Sequence, residues 1–136
     1  MKYLQKTEIG TTESEETNLI IEVKNGIAVI KTDEVIIYDV QSALDLMATV
    51  KYEADCDRIA IPKLAVKEDF FVLSSGIAGD ILQKFVNYQV MLAIFGDFSV
   101  YTSKPLRDFI YESNNGSHIF FTATEDEAIK KLTVGR

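Results

Sequence analysis

Only one cysteine, one histidine and two prolines occur in this sequence, and no tryptophan. The lone cysteine, Cys56, excludes an internal disulfide and fits a reducing compartment. With His118 as the sole histidine, zinc sites and Cys/His catalysis have no good constellation. A Ser/His/Asp set can be assembled on paper, but no Gly-x-Ser-x-Gly elbow presents a nucleophile. Gly76 and Gly79 make neither a Gly-x-Gly-x-x-Gly nor a Gly-Lys-Ser/Thr phosphate loop. Basic residues are in deficit, 14 against 21 acidic, giving a net charge of −7 with no Lys/Arg stripe. That balance repels phosphate backbones, so no nucleic-acid partner is expected. No apolar run approaches the roughly 20 residues of a spanning helix, and none follows Lys2 and Lys6 as a leader would. The expectation is a cytoplasmic protein without membrane insertion, and no cofactor is indicated.

What is present suits one core. The 136 residues match a single domain, and a chain of that size buries roughly two thirds of its unfolded surface without staples. Residues 1–17 read as a polar N-terminal segment, with Glu13, Glu15 and Glu16 as a solvated run, and residues 18–136 as the domain. Leu19–Val23 and Ile27–Ile30 flank Lys24-Asn25-Gly26, and Asn-Gly supplies the two positive φ angles of a hairpin turn. Residues 32–38 either extend the sheet or lie over its end. Asp39 then caps a helix whose inner face is Val40, Ala43, Leu44, Met47, Val50 and Ala54. Arg58–Ile61 is a short buried strand that Pro62 ends.

Residues 63–73 contain Ala65, Val66, Phe70 and Phe71, too apolar for a free loop, so this connection should pack on the core. A helix after Ser75, running to about Tyr88, buries Ile77, Ala78, Ile81, Leu82 and Phe85, and close helix packing is the expected reason for Gly79. Val90–Phe95 is the most apolar run, as an interior parallel strand requires. Ser103 caps the next helix, whose inner stripe is Leu106, Phe109 and Ile110, and Asn114-Asn115-Gly116 should stop it in a left-handed conformation. Ile119–Phe121 is the last strand, and Thr124 with Glu127 forms a capping box for a final helix. The expected fold is a single α/β domain. Its sheet is mixed and mostly parallel, of about five strands starting with an antiparallel hairpin, flanked by about four helices.

Candidate sites each carry two readings. Ser74 and Ser75 sit where a phosphoserine would gain from a helix N-terminus, or one of them is simply the helix cap. Asp97, at a strand's carboxyl end with Ser99 beside it, either faces a ligand cleft or bonds its own turn. Glu68 and Asp69 are either an acid pair for that cleft or a solvated loop. Cys56 reads as a small packing residue. Tyr88, Tyr101 and Tyr111 with Phe98 are either a surface aromatic patch, favouring a partner or a homodimer, or filler of sheet and helix.

Leu73-Ser74-Ser75-Gly76-Ile77, between a strand and the second helix, resembles the Asp-Ser-Ser-Gly-like motif of STAS domains, the anti-sigma-factor-antagonist fold. The first serine of that motif accepts phosphate in the bacterial regulators, and Ser74 matches it; Leu73 stands where the family has aspartate. The resemblance implies a STAS-like fold and a non-catalytic regulatory or protein-interaction role, with Ser74, Ser75 and Gly76 as phosphoacceptor or anion-binding positions. Asp33-Glu34-Val35-Ile36, Asp39 to Asp45, Glu68 to Phe71, Gly79 to Phe85 and Gly96-Asp97-Phe98-Ser99 are similar to a bacterial domain of unknown function, DUF4180. That likeness brings no activity with it. A small-molecule or lipid-binding module using the Ser74 loop and a cleft at Asp97, Ser99, Glu68 and Asp69 is the alternative, and a small hydrolase or transferase using Asp97, Glu68 or Asp69 the third reading.

Overall fold

A computed structural model describes residues 19–134. The polar segment expected at 1–17 lies outside the described residues. Two strands, β1 (Ile20–Lys24) and β2 (Ile27–Lys31), open the domain as an antiparallel hairpin. Asn25 and Gly26 stand at φ 55° and 77°, the two left-handed positions that the Asn-Gly pair was expected to fill. After the hairpin come α1 (Val40–Ala54), β3 (Arg58–Pro62), α2 (Ile77–Asn87), β4 (Met91–Phe95), α3 (Lys104–Asn114), β5 (Ile119–Thr122) and α4 (Glu125–Val134). The sheet runs β1-β2-β3-β4-β5, with every pair after the hairpin parallel.

This order fixes which face each helix covers. Successive right-handed crossovers that always step in one direction leave their helices on one side of the sheet. The core on that side runs from Ile30, Ile59, Ile61, Leu92 and Ile94 of the strands to Met47, Ile81, Phe85 and Leu106 of α1, α2 and α3. α4 folds back over the opposite face. Ala128 and Leu132 there meet Ile27, Val29, Ala60, Ala93 and Phe120. Leu92, Ala93 and Ile94 are wholly buried, as expected of an interior strand. Burial of a side chain the size of Leu92 or Ile94 contributes about 1.5–3 kcal/mol.

The caps follow the chemistry of the sequence. Asp39 accepts from the Ser42 amide at 2.8 Å, while the Ser42 hydroxyl accepts from the Asp39 amide at 3.0 Å. Ser103 accepts from Leu106, and Thr124 from Glu127. Other expectations give way. α1 buries Leu46 where Leu44 was expected to be among the inner residues, and Leu44 is only half-buried. Pro62 is the last residue of β3 rather than the residue beyond it, paired in register with Phe95. Residues 32–38 do not extend the sheet as a strand. Ile37 forms a single parallel bridge to Val66, and Ala65 accepts from the amides of both Ile36 and Ile37.

Asn115 stays right-handed at φ −88°, so α3 does not stop by a left-handed cap. The Asn114 side chain instead donates to the Phe121 carbonyl at 3.0 Å and accepts its amide at 2.7 Å. The amide thereby pairs backbone groups of β5 that would otherwise form an open sheet edge. Gly79 is exposed, and a Cβ there meets nothing within 4 Å, so close packing is not its reason. Arg58, a buried cation, donates to the Leu132 carbonyl at 2.8 Å in the last turn of α4, where the helix dipole favours positive charge.

Candidate functional site

The carboxyl ends of β3 and β4 carry the two connections richest in expected site residues, 63–76 and 96–103. Connection 63–76 is made of three short 3₁₀ turns, Lys63–Ala65, Glu68–Phe71 and Leu73–Ser75. Tight turns of this kind let the chain bury Ala65, Val66, Phe70 and Phe71 while its polar residues stay outside.

Lys63 is the centre of this end of the molecule. Its stem lies against Gly96, where a Cβ would stand 2.6 Å from the Lys63 Cβ. Only glycine at the end of β4 leaves the lysine room. The Nζ then sits 5.0 Å from the ring centre of Tyr101 and 5.5 Å from that of Phe71. Those two rings are themselves stacked at 5.1 Å and 20°. Cation–ring contacts of this kind are worth about 0.5–2 kcal/mol, more as water is excluded. Glu68 closes the box. One carboxylate oxygen lies 3.8 Å from the Lys63 Nζ and the other accepts the Tyr101 hydroxyl at 2.7 Å. Burial, and then the neighbouring carboxylate, pushes the Tyr101 phenol well above its ordinary range. Beneath the box the aromatic chain continues from Phe70 through Phe71 and Phe98 to Phe121 and Phe109, each step 5.0–6.0 Å between ring centres.

Asp97 lies within the field of Lys63 but is committed elsewhere. Its Oδ1 accepts the Ser99 hydroxyl at 2.6 Å and the Ser99 amide at 2.9 Å. These two hydrogen bonds, with Lys63 a lesser contributor, hold its carboxyl below the usual range. Asp69 pairs with Lys67 at 3.5 Å. Its carbonyl accepts the Ser75 hydroxyl at 3.1 Å, and that hydroxyl also accepts the Ile77 amide at 3.2 Å. Ser75 therefore ties the turn to the first residue of α2. The residue in the cap position is Gly76, left-handed at φ 80°, with no side-chain cap. Ser74 and Ser75 are both exposed, one step before a helix.

Of the residues singled out in the sequence, the fold thus brings Glu68 against Lys63, leaves Asp97 and Ser99 bonded to each other on the neighbouring connection, and places Asp69, Ser74, Ser75 and Gly76 along the adjoining turn. The expected surface patch of Tyr88, Tyr101, Tyr111 and Phe98 does not form as one unit. Tyr101 and Phe98 are half-buried in the aromatic chain, whereas Tyr88 and Tyr111 are exposed outside it. Lys63 was missed because nothing local marks it. The one available signal was Gly96 ending an apolar strand. Among the described residues no three His, Cys, Asp or Glu side chains converge as a metal cluster, and no helix is long and apolar enough to cross a membrane.

The architecture and its carboxyl-end platform define a single α/β domain with a five-stranded mixed sheet and four helices. The family model described as a domain of unknown function, DUF4180, matches residues 22–132, and the chain belongs to that family. No curated protein and no solved structure matches it.

Proposed function

We propose that this protein is a non-catalytic, STAS-like interaction domain that docks a protein partner on the carboxyl end of its sheet. The observation that carries the reading is the apolar rim of the lysine box. Leu64, Val72 and Val100 are 56%, 51% and 62% exposed, and each adjoins a residue of the box, Lys63, Phe71 or Tyr101. Isolated exposed aliphatics are ordinary on protein surfaces. These three project from connections that stacked rings and the half-buried Lys63 stem hold in place, so apolar anchors there sit on a braced frame, where binding loses little to ordering. The Ser74-Ser75-Gly76 turn leads directly into the second helix, the place the STAS resemblance assigns it, and supports that part of the reading. The carboxylates argue in the same direction. A base with its pKa lowered and its oxygen already bonded, as in Asp97, is a poor proton acceptor at neutral pH.

A photo-crosslinking amino acid at position 100, with one at the 89%-exposed Tyr52 as control, tests the reading in the source cells. A discrete adduct from position 100 that disappears on Leu64→Asp is expected. Equal, diffuse adducts from both positions overturn the docking surface. The regulatory version adds a phosphoryl group to Ser74 or Ser75. Incubation with cell extract and ATP followed by mass spectrometry removes that version if neither serine is modified.

A further inference from the structure

The opposite end of the sheet holds a cavity of about 550 Å³, within the range of small-molecule sites. Its walls are Leu44 and Met47 of α1 and Val90 before β4, with the Cys56 thiol among them. Met47, Cys56 and Val90 are all at least nine-tenths buried. Two short connections, 55–57 and 88–90, form its edge, and each contains a non-glycine residue held left-handed, Asp55 at φ 53° and Gln89 at φ 59°. Such positions cost about 1–2 kcal/mol apiece and persist only where the surroundings enforce them.

The charges select the ligand. Lys51 lines the cavity, but its Nζ pairs with Asp55 at 2.9 Å. Asp57 adds a second carboxylate, so the edge offers no unbalanced positive charge. Burial, and then Asp57 and Asp55, pushes the Cys56 thiol up, which keeps the wall neutral. We infer that the amino end of the sheet is a binding site for a mainly apolar small molecule without negative charge, carrying a hydrogen-bond donor for Asp57 or Gln89. This inference does not rest on the docking surface, which lies at the other end of the strands.

N-phenyl-1-naphthylamine, neutral, apolar and bearing one N–H, is a suitable probe, with the anionic anilinonaphthalene sulfonate as its counterpart. The neutral probe should give saturable, blue-shifted fluorescence at one site, and the anion should bind about tenfold more weakly. Ala48→Trp, at an exposed position on the wall, should weaken the neutral probe by a similar factor. Cys56 is the only cysteine, so alkylation by N-ethylmaleimide reads this site alone in the unmodified protein. Saturating probe should slow it. Absence of saturation, or an alkylation rate that the bound probe leaves unchanged, overturns the site. Equal affinity for the anion overturns the exclusion of negatively charged ligands.

Discussion

The two ends of one sheet are built in opposite ways. At the carboxyl end, the long connections 63–76 and 96–103 bring Phe70, Phe71, Phe98 and Tyr101 over the strand ends and fill the space with rings. At the amino end, 55–57 and 88–90 are short, line the cavity without a stack of rings to fill it, and turn through the left-handed Asp55 and Gln89. The first end is therefore closed and braced, and the second is hollow. Loop length alone, on a regular β/α frame, separates a platform from a pocket.

Substitutions at the two ends should separate accordingly. Phe71→Ala removes a ring that touches Phe70, Phe98 and Tyr101 and supports Lys63, and should destabilise the domain by about 3–5 kcal/mol in urea unfolding. A loss below about 1 kcal/mol would mean that the carboxyl end is not packed as described. Gly96→Ala forces a methyl to within 2.6 Å of the Lys63 stem and should cost about 1–3 kcal/mol, with Tyr101 fluorescence changing as the lysine shifts. Gln89→Gly acts in the opposite sense. Relief of the left-handed strain, less the entropy of the added glycine, should stabilise the protein by about 0.5–1 kcal/mol. A destabilisation there would show that the Gln89 side chain, rather than the turn, shapes the amino end.

The smallest effect concerns neither end and serves as a reference. Hydrogen bonds from Lys24 and Lys31 hold the Glu125 carboxyl below its ordinary value. Because the folded pKa lies under the unfolded one, this stabilisation is present above the unfolded value and lost as pH falls through the folded one. Below about pH 4.5 the unmodified protein should therefore lose slightly more stability than Glu125→Gln, by under about 1 kcal/mol for so accessible a pair.

Local chemistry was legible in the sequence, and tertiary juxtaposition was not. Asn25-Gly26, Asp39, Ser103 and Thr124 each act over a few residues and take the roles expected of them, though Glu127 completes only half of its capping box, its carboxylate accepting the Ala123 amide in place of that of Thr124. The run ending at Phe95 announced an interior strand because only burial on both faces tolerates it. Asn114 was misread since its partner, Phe121, arrives from the next strand and outcompetes a left-handed stop. Glu68 was named as a site residue, but the lysine it faces, set against Gly96, Phe71 and Tyr101, comes into view only when separate chain segments meet. The hollow end left no mark at all, because it arises from how little chain separates α1 from β3 and α2 from β4.

Methyl-resolved NMR of the protein titrated with N-phenyl-1-naphthylamine tests the contrast between the two ends most directly. Shifts confined to Leu44, Met47 and Val90, with Leu64, Val72 and Val100 unmoved, are the expected result. Shifts centred on Leu64, Val72 and Val100 would contradict it, placing the ligand site on the end described here as closed.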